Sequence, residues 1–403
     1  MPIQYPPRPE LLAPVGDFVC LTAAIQGGCD AVYFGVGELN MRSGAGRNFA
    51  CEDIPRIAEQ ARAAGVRAYL ALNTIVFNHE RQTVRELLAE AQGVVDAVIA
   101  WDPCVIKECV RRGIPVHLST QASVANADAA RIYRDLGVRR IVPARECTLE
   151  ELVHIRNESG AEVEISVHGA MCMAVSGRCF LSQDVYGRSA NRGQCVQNCR
   201  REYRITDVEE GAEHVLGTQT VLSARDLCTI PFLDALLDAG FDAFKIEGRG
   251  RNPEYVRTVV ECYREAMDAW RDGQLTDAVK AELVQRLRQV FNREFSAGFY
   301  LGRPIAEFAT RSDNQSTRTK QSVGVVTNYF PKPSVAQIQI QGACFQRGDL
   351  LMIQGETTGV LEFPVTELRQ QEVEVTQAQR GQATLRVPEK VRRNDKVYLL
   401  EKT

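Results

Sequence analysis

Thirteen cysteines are spread over 403 residues, yet Cys172, Cys179, Cys195 and Cys199 crowd into one short stretch. An even scatter would put about one there. Their spacing is Cys-x6-Cys-x15-Cys-x3-Cys. Thiols in such a cluster can pair as disulfides, ligate a metal, or remain small buried apolar groups. The N-terminal MPIQYPPRPELLAPV lacks the basic-then-apolar pattern of a signal peptide, so a cytoplasmic, reducing setting is expected and disulfides are disfavoured. Structural zinc prefers paired C-x2–4-C knuckles, which only the last pair approaches. An iron–sulfur core takes four thiolates at wider, irregular spacing. Gly169, Gly177, Gly187 and Gly193 let the backbone bend around such a core. Iron–sulfur is the favoured reading, with zinc and unligated thiols left open. Cys228 in LSARDLC is an alternative fourth ligand to Cys199. The other cysteines read as small buried hydrophobes or lie far along the chain.

Charge is concentrated in the same stretch. Arg178, Arg188, Arg192, Arg200, Arg201 and Arg204 stand against Asp184 and Glu202, a surplus of four positive charges in a chain of net charge -3. The whole chain is therefore no electrostatic magnet, and any nucleic-acid surface must be local. Arg188, Arg192, Arg200 and Arg201 are candidate phosphate contacts. Tyr186 is a candidate platform for an unstacked RNA base, with Tyr203 beside it. The plainer alternative is that the arginines balance a metal cluster and the tyrosines pack.

These residues need a scaffold. Apolar, β-branched runs recur at 10–15, 31–36, 67–73, 97–102, 115–120, 139–144, 161–168 and 243–248, with helical patterns between most of them. Runs apolar along most of their length suit a parallel sheet covered on both faces. Eight βα units point to an α/β fold, a TIM-like (β/α)8 barrel, with a doubly wound open sheet as the alternative. No βα turn carries G-x-G-x-x-G or G-x-x-x-x-G-K-[ST]. In a barrel, the chemistry lies where the strands end. The residues there are polar: Asp17, Arg42, Asn48, Asn73, Gln121, Arg145, Glu146, His168, Glu247 and Arg249. The cysteine stretch follows the seventh strand directly, which places it on the same face.

The domain reading is a catalytic barrel over 1–275 with a Cys-rich insert at 168–204, a helical segment and linker over 276–319, and a small C-terminal all-β barrel over 320–403. The last is suggested by short strands such as SVGVVTNY, SVAQIQI and DKVYLL. No apolar run reaches the length of a membrane helix, so no membrane partner is expected. Oligomeric state is left open.

The stretch EISVHGAMCMAVSGRCFLS, Glu164 to Ser182, resembles the signature of peptidase family U32, E-x-F-x2-G-[SA]-[LIVM]-C-x4-G-x-C-x-[LIVM]-S. Ser166 replaces an aromatic residue; every other fixed position matches. ELLAPVGD, DAVYFGV, MRSGAGRNF, LSTQASVAN, VPARE and KIEGRGRNPEYV also resemble family blocks in family order, so the likeness spans about residues 10–275. The family name says protease. Its better-understood members include RNA hydroxylases and the oxygen-independent hydroxylase pair of ubiquinone synthesis, which carry [4Fe–4S] clusters. By length and C-terminal domain this chain is most similar to the prephenate-dependent tRNA uridine-34 hydroxylase group. The resemblance implies a [4Fe–4S] cofactor on Cys172, Cys179, Cys195 and Cys199, prephenate as cosubstrate, and the anticodon region of tRNA as partner. A 23S rRNA cytidine hydroxylase, a U32-type peptidase and a non-catalytic zinc RNA-binding protein are the alternatives.

That chemistry assigns candidate roles. A dicarboxylate cosubstrate needs guanidinium partners, for which Arg42, Arg47, Arg145 and Arg249 are placed, with Asn73 and Gln121 as further substrate contacts. His168 is a candidate acid/base, against the alternative of a structural histidine. Glu146 and Glu247 are candidate catalytic carboxylates or partners of nearby arginines. A peptidase would need a nucleophile and base; no H-E-x-x-H or G-x-S-x-G is found, and a Cys–His168 pair would leave three thiols unexplained.

Overall fold

The computed structural model describes residues 8–44, 48–203, 205–206, 208–211, 213–214, 222–304, 307–311 and 314–402. Arg47 and Arg204 lie outside the described residues.

All eight expected strands form. They are β1 (Glu10–Pro14), β2 (Ala31–Phe34), β3 (Arg67–Leu72), β4 (Ala97–Ala100), β5 (Val116–Leu118), β6 (Arg140–Ile141), β7 (Glu162–Gly169) and β8 (Ala243–Ile246). Each pairs in parallel with the next, and β8 pairs in parallel with both β7 and β1, which closes the barrel. Helices α1 (Phe18–Gln26), α2 (Ile54–Ala63), α3 (Arg81–Ala91), α4 (Pro103–Arg111), α5 (Ala127–Asp135) and α6 (Leu149–Ser159) return the chain between strands, as parallel pairing requires. Asp17, Asp102, Asn126 and Thr148 cap α1, α4, α5 and α6 through their side-chain oxygens.

The apolar shell between strands and helices is one continuous core. Inside the barrel, Leu12, Ala31, Tyr33, Tyr69, Ala97 and Ile99 form a separate apolar group. Below it, at the N-terminal ends of the strands, the interior is charged. Arg140 bonds Glu10 at 2.7 Å and Glu164 at 3.4 Å, and Lys245 bonds Glu164 at 2.8 Å. The apolar character of these strands hides this network, because only one residue in several contributes to it.

Between β7 and β8 the chain makes the Cys-rich insert, which contains α7 (Leu181–Tyr186), and then a short strand, Asp226–Cys228, that runs antiparallel to β7. Helix α8 (Leu233–Asp238) precedes β8; α9 (Pro253–Arg271) and α10 (Asp277–Leu287) follow it. The C-terminal unit is an eight-stranded antiparallel sheet curled around its own apolar core. Its end strands, Gly359–Pro364 and Val373–Glu374, are not paired with each other among the described residues. It packs on the flank of the barrel rather than its mouth. Met352 and Val360 bury against Ala23 of α1, and Lys320 pairs with Glu254 of α9 at 2.7 Å.

Candidate functional site

The long β2–α2 loop folds over the mouth around Asn40, a fully buried side chain that the sequence did not single out. Its Nδ2 donates to the carbonyls of Val36 (3.2 Å) and Gly37 (3.1 Å). Its Oδ1 accepts from the Arg42 amide (3.1 Å) and from Arg249 Nη1 (2.9 Å). Gly35 is the legible trace of this packing: a Cβ there would lie 2.3 Å from Arg249 Nη1 and 2.5 Å from Asn40 Cγ. Only glycine leaves the guanidinium its place.

Glu247 is the one carboxylate in this space whose partners are defined. Arg42 Nη2 reaches it at 2.7 Å, and the Tyr33 hydroxyl donates to it at 3.2 Å. Burial pushes its pKa up, but Arg42, Arg249 and Arg145 outweigh that and hold it at about 2. Glu247 is thus a fixed anion that positions Arg42, and it does not carry protons near neutral pH. Arg249 and Arg145 make no ion pair among the described residues. Arg249 is buried, with one hydrogen bond to Asn40 and its guanidinium 5.8 Å from the Tyr33 ring centre. Burial lowers its pKa to about 10, against the pull of Tyr33 and Glu247. Among the described residues the hydrogen-bond partner of Arg145 Nη2 is the Met171 thioether, at 2.7 Å, and sulfur is a weak acceptor. Three guanidiniums therefore surround one carboxylate, an arrangement that accepts anions.

Asn73 and Gln121 also lie at the mouth, both buried. Asn73 Oδ1 accepts the Met41 amide at 3.1 Å, and the Gln121 carbonyl accepts Arg178 Nη2 at 2.8 Å. The Asn73 side chain thus holds the β2–α2 loop, and the Gln121 backbone carbonyl holds the insert.

His168 corrects the strand-end expectation. Alternation along β7 sends Glu164 and Ser166 inward, and one more step of two would bring His168 with them. A register shift opposite Lys245 and Ile246 intervenes, so His168 pairs with Ile246, a residue of the outer shell. This β-bulge rotates the imidazole out of the barrel. It packs among Tyr255, Tyr263 and Phe295, with ring centres 6.0, 5.5 and 5.6 Å away. Burial, then Arg251, lowers its pKa to about 3, so the ring is neutral and structural. Glu146 is exposed at the rim, with no hydrogen bond or ion pair among the described residues.

The insert brings the four thiols to this mouth. Cys172 and Cys195 are exposed, while Cys179 and Cys199 are half-buried. Backbone amides two residues on donate to sulfur, Leu181 to Cys179 and Gln197 to Cys195, each at 3.4 Å. Burial raises the Cys199 pKa, Arg200 opposes it, and Cys172, Cys195 and Cys179 add to the rise. The other three thiols are thus each within electrostatic reach of Cys199. Cys195 in turn acts on Arg42, which ties the thiols to the guanidinium group. Among the described residues no three metal-ligating side chains close to single-ion distance. Cys228 is elsewhere: it is buried in the apolar shell, paired across the sheet with His168, and burial holds its pKa near 11. Cys199 lies on the insert with the other three thiols, whereas Cys228 lies on the strand beside β7.

Two arginines expected on an RNA surface face the protein. Arg192 pairs with Glu80 and donates to the Ile75 carbonyl, which fastens the insert to the β3–α3 loop. Arg200 is buried and donates to the carbonyls of Met171 and Ala224 and to Ser223 Oγ at 3.1 Å. Both are clamps. Arg188 is exposed, and Arg201 stacks over Tyr186 with its guanidinium 5.0 Å from the ring centre. Arg293 went unnoticed in the sequence; it is buried, bonds Gln197 Oε1 at 3.1 Å and faces Asp226 at 3.7 Å.

Residues 16–309 match the model of a family described as peptidase family U32. A protein named collagenase from Porphyromonas gingivalis is 39% identical over 98% of both chains. The tRNA hydroxylation protein P1 of Bacillus subtilis is 34% identical over 85% of this chain and 82% of that one. The 23S rRNA 5-hydroxycytidine C2501 synthase of Escherichia coli is 35% identical over 65% of this chain and 40% of that protein.

Proposed function

Because the chain belongs to peptidase family U32, we propose that it acts as an RNA hydroxylase of that family, forming 5-hydroxyuridine at the wobble position of tRNA with prephenate as cosubstrate. The observation that carries this reading is the meeting of four thiols with an under-paired guanidinium group at one barrel mouth. Cys172, Cys179, Cys195 and Cys199 would hold a [4Fe–4S] cluster. When bound, such a cluster supplies one-electron redox chemistry at a site whose potential the protein tunes through amide–sulfur hydrogen bonds and burial. Arg249 and Arg145 bind the carboxylates of the cosubstrate. Glu247, held deprotonated, keeps Arg42 beside them. Tyr33 and Asn40 fix the directions of these groups. Arg188 and Arg201, with Tyr186, line the approach for the RNA strand.

A second reading, a peptidase, is favoured by the name of the Porphyromonas gingivalis relative. The geometry disfavours a thiol–imidazole pair built on His168, because that ring faces the outer shell. His117 is likewise buried inside the barrel.

The test is direct. Protein purified without oxygen should be brown, with absorbance near about 400 nm and about four irons per chain. Cys199→Ser should abolish the colour, and Cys228→Ser should keep it. Colourless wild-type protein with stoichiometric zinc would overturn the cluster assignment. Loss of wobble 5-hydroxyuridine derivatives in tRNA from a deletion strain lacking a redundant enzyme identifies the substrate; an unchanged nucleoside profile refutes it. Hydrolysis of gelatin, abolished by substitutions in the thiol set, would favour the peptidase.

A further inference from the structure

Among the described residues, fourteen large apolar side chains are exposed, and seven of them fall between Met173 and Val208. Exposed apolar side chains concentrated on one face mark an interaction surface. Phe180 is the most exposed aromatic ring among the described residues, at 72%, directly after the thiol residue Cys179. Nothing in the packing of the insert requires an aromatic ring in water at that position.

A second aromatic group stands beside it. Phe77 and His79, both exposed on the β3–α3 loop, are stacked with ring centres 5.9 Å apart and planes 17° from parallel. The Arg192 guanidinium lies 4.8 Å from the Phe77 ring centre. Arg192 also joins the two groups. Its carboxylate partner is Glu80 of the same loop, at 2.9 Å from Nη1. Its neighbour Asn191 accepts the Cys179 amide at 2.8 Å. The Phe77–His79 stack, the Arg192 clamp and the Cys179–Phe180 turn are thus one connected rim.

We propose that this rim, Phe180 on one side and the Phe77–His79 stack on the other, is a stacking platform for unpaired RNA bases that flank the base entering the mouth. The proposal rests on the RNA reading above and names the surface that reading leaves unassigned. Two features select RNA bases over an apolar protein partner. The Arg201 guanidinium lies over Tyr186, Arg178 and Arg188 are exposed on the same insert, and Arg192, held by Glu80, braces the Phe77 ring from within. Alternating rings and guanidiniums suit a chain that alternates bases and phosphates. The near-parallel Phe77–His79 stack also presents flat faces of the kind a base covers.

The experiment measures binding of the full-length, anaerobically purified protein to a labelled RNA hairpin with an unpaired loop, and to a blunt RNA duplex of equal length. Phe180→Ala and Phe77→Ala should each weaken hairpin binding by about 5- to 150-fold and leave duplex binding unchanged. Phe180→Trp should restore it, and Phe180→Leu, which keeps apolar bulk without a ring, should not. Circular dichroism and visible absorbance of each variant should match the wild type, since these side chains are exposed. Wild-type binding with unaffected alanine variants overturns the platform alone. Equal losses on hairpin and duplex, or full rescue by Phe180→Leu, also overturn it. A wild-type protein that binds no RNA removes the underlying RNA reading as well.

Discussion

The two ends of the barrel are both charged, and they differ in how the charges are matched. At the N-terminal end, two enclosed cations, Arg140 and Lys245, meet two buried carboxylates, Glu10 and Glu164, with Arg67, Arg139 and Glu162 at the outer edge. Tyr69 adds a hydroxyl bond to Glu10 at 2.8 Å. At the C-terminal end, among the described residues, Arg42, Arg145 and Arg249 face the one carboxylate of Glu247. At the lower end each enclosed cation has a carboxylate partner. The upper end carries surplus positive charge beside four thiols. The contrast separates charge paired within the fold from charge left without an ion-pair partner among the described residues, a distinction invisible in composition.

The largest effect should come from unbalancing the closed end. Glu164→Gln leaves Arg140 and Lys245 short of a partner inside the barrel, and removing one member of a buried pair costs about 3–5 kcal/mol. Urea unfolding should show that loss; a change under about 1 kcal/mol would mean that the network is solvated.

The open end should respond in the opposite way. Arg249→Met and Arg145→Met should leave stability within about 1 kcal/mol and weaken cosubstrate use about 10- to 100-fold, the worth of a charge-assisted hydrogen bond. Steady-state kinetics alongside thermal melts checks this. Arg42→Met should lose both activity and stability, because it strands Glu247; equal behaviour of all three arginines would erase the distinction drawn here.

A third test uses acid. His117 inside the barrel and His168 in the shell are both held near a pKa of about 3 by burial. The unfolded chain protonates these rings below about 6.5 while the native state does not, so stability is intact above that pH and falls as pH drops toward 3. Each ring contributes a slope of about 1 kcal/mol per pH unit. Glu247, depressed to about 2, adds to acid lability only below about 4.5. Melting temperature against pH should therefore decline from about pH 6.5, and His168→Phe should flatten the decline. The smallest effect is expected at the rim, where Glu146→Gln should change stability by less than about 0.5 kcal/mol and activity little; a large loss would restore its catalytic assignment.

Sequence reading recovered the scaffold because strand signals are local. Runs such as RAYLALN and AFKIEG announce themselves within a few residues, and all eight proved to be barrel strands. The short antiparallel strand Asp226–Cys228 was missed, since three residues carry too little pattern. At the site, the thiols and most mouth residues were legible as types. Asn40 was not, because a buried asparagine in a loop looks like any turn residue.

What the sequence determined by itself is the order of the eight βα units, the position of the insert after β7, and the gathering of four thiols in it. What only the tertiary structure decided is which groups are free. Arg42 meets a carboxylate 205 positions away, Arg249 an amide 209 away and Arg140 a carboxylate 130 away. One bulge turned His168 away from the mouth, and Cys228 came to lie buried in the shell. The physical reason is common to these cases. Strand propensity is set by near neighbours, whereas the state of a charge or a thiol is set by whatever the closed barrel brings against it.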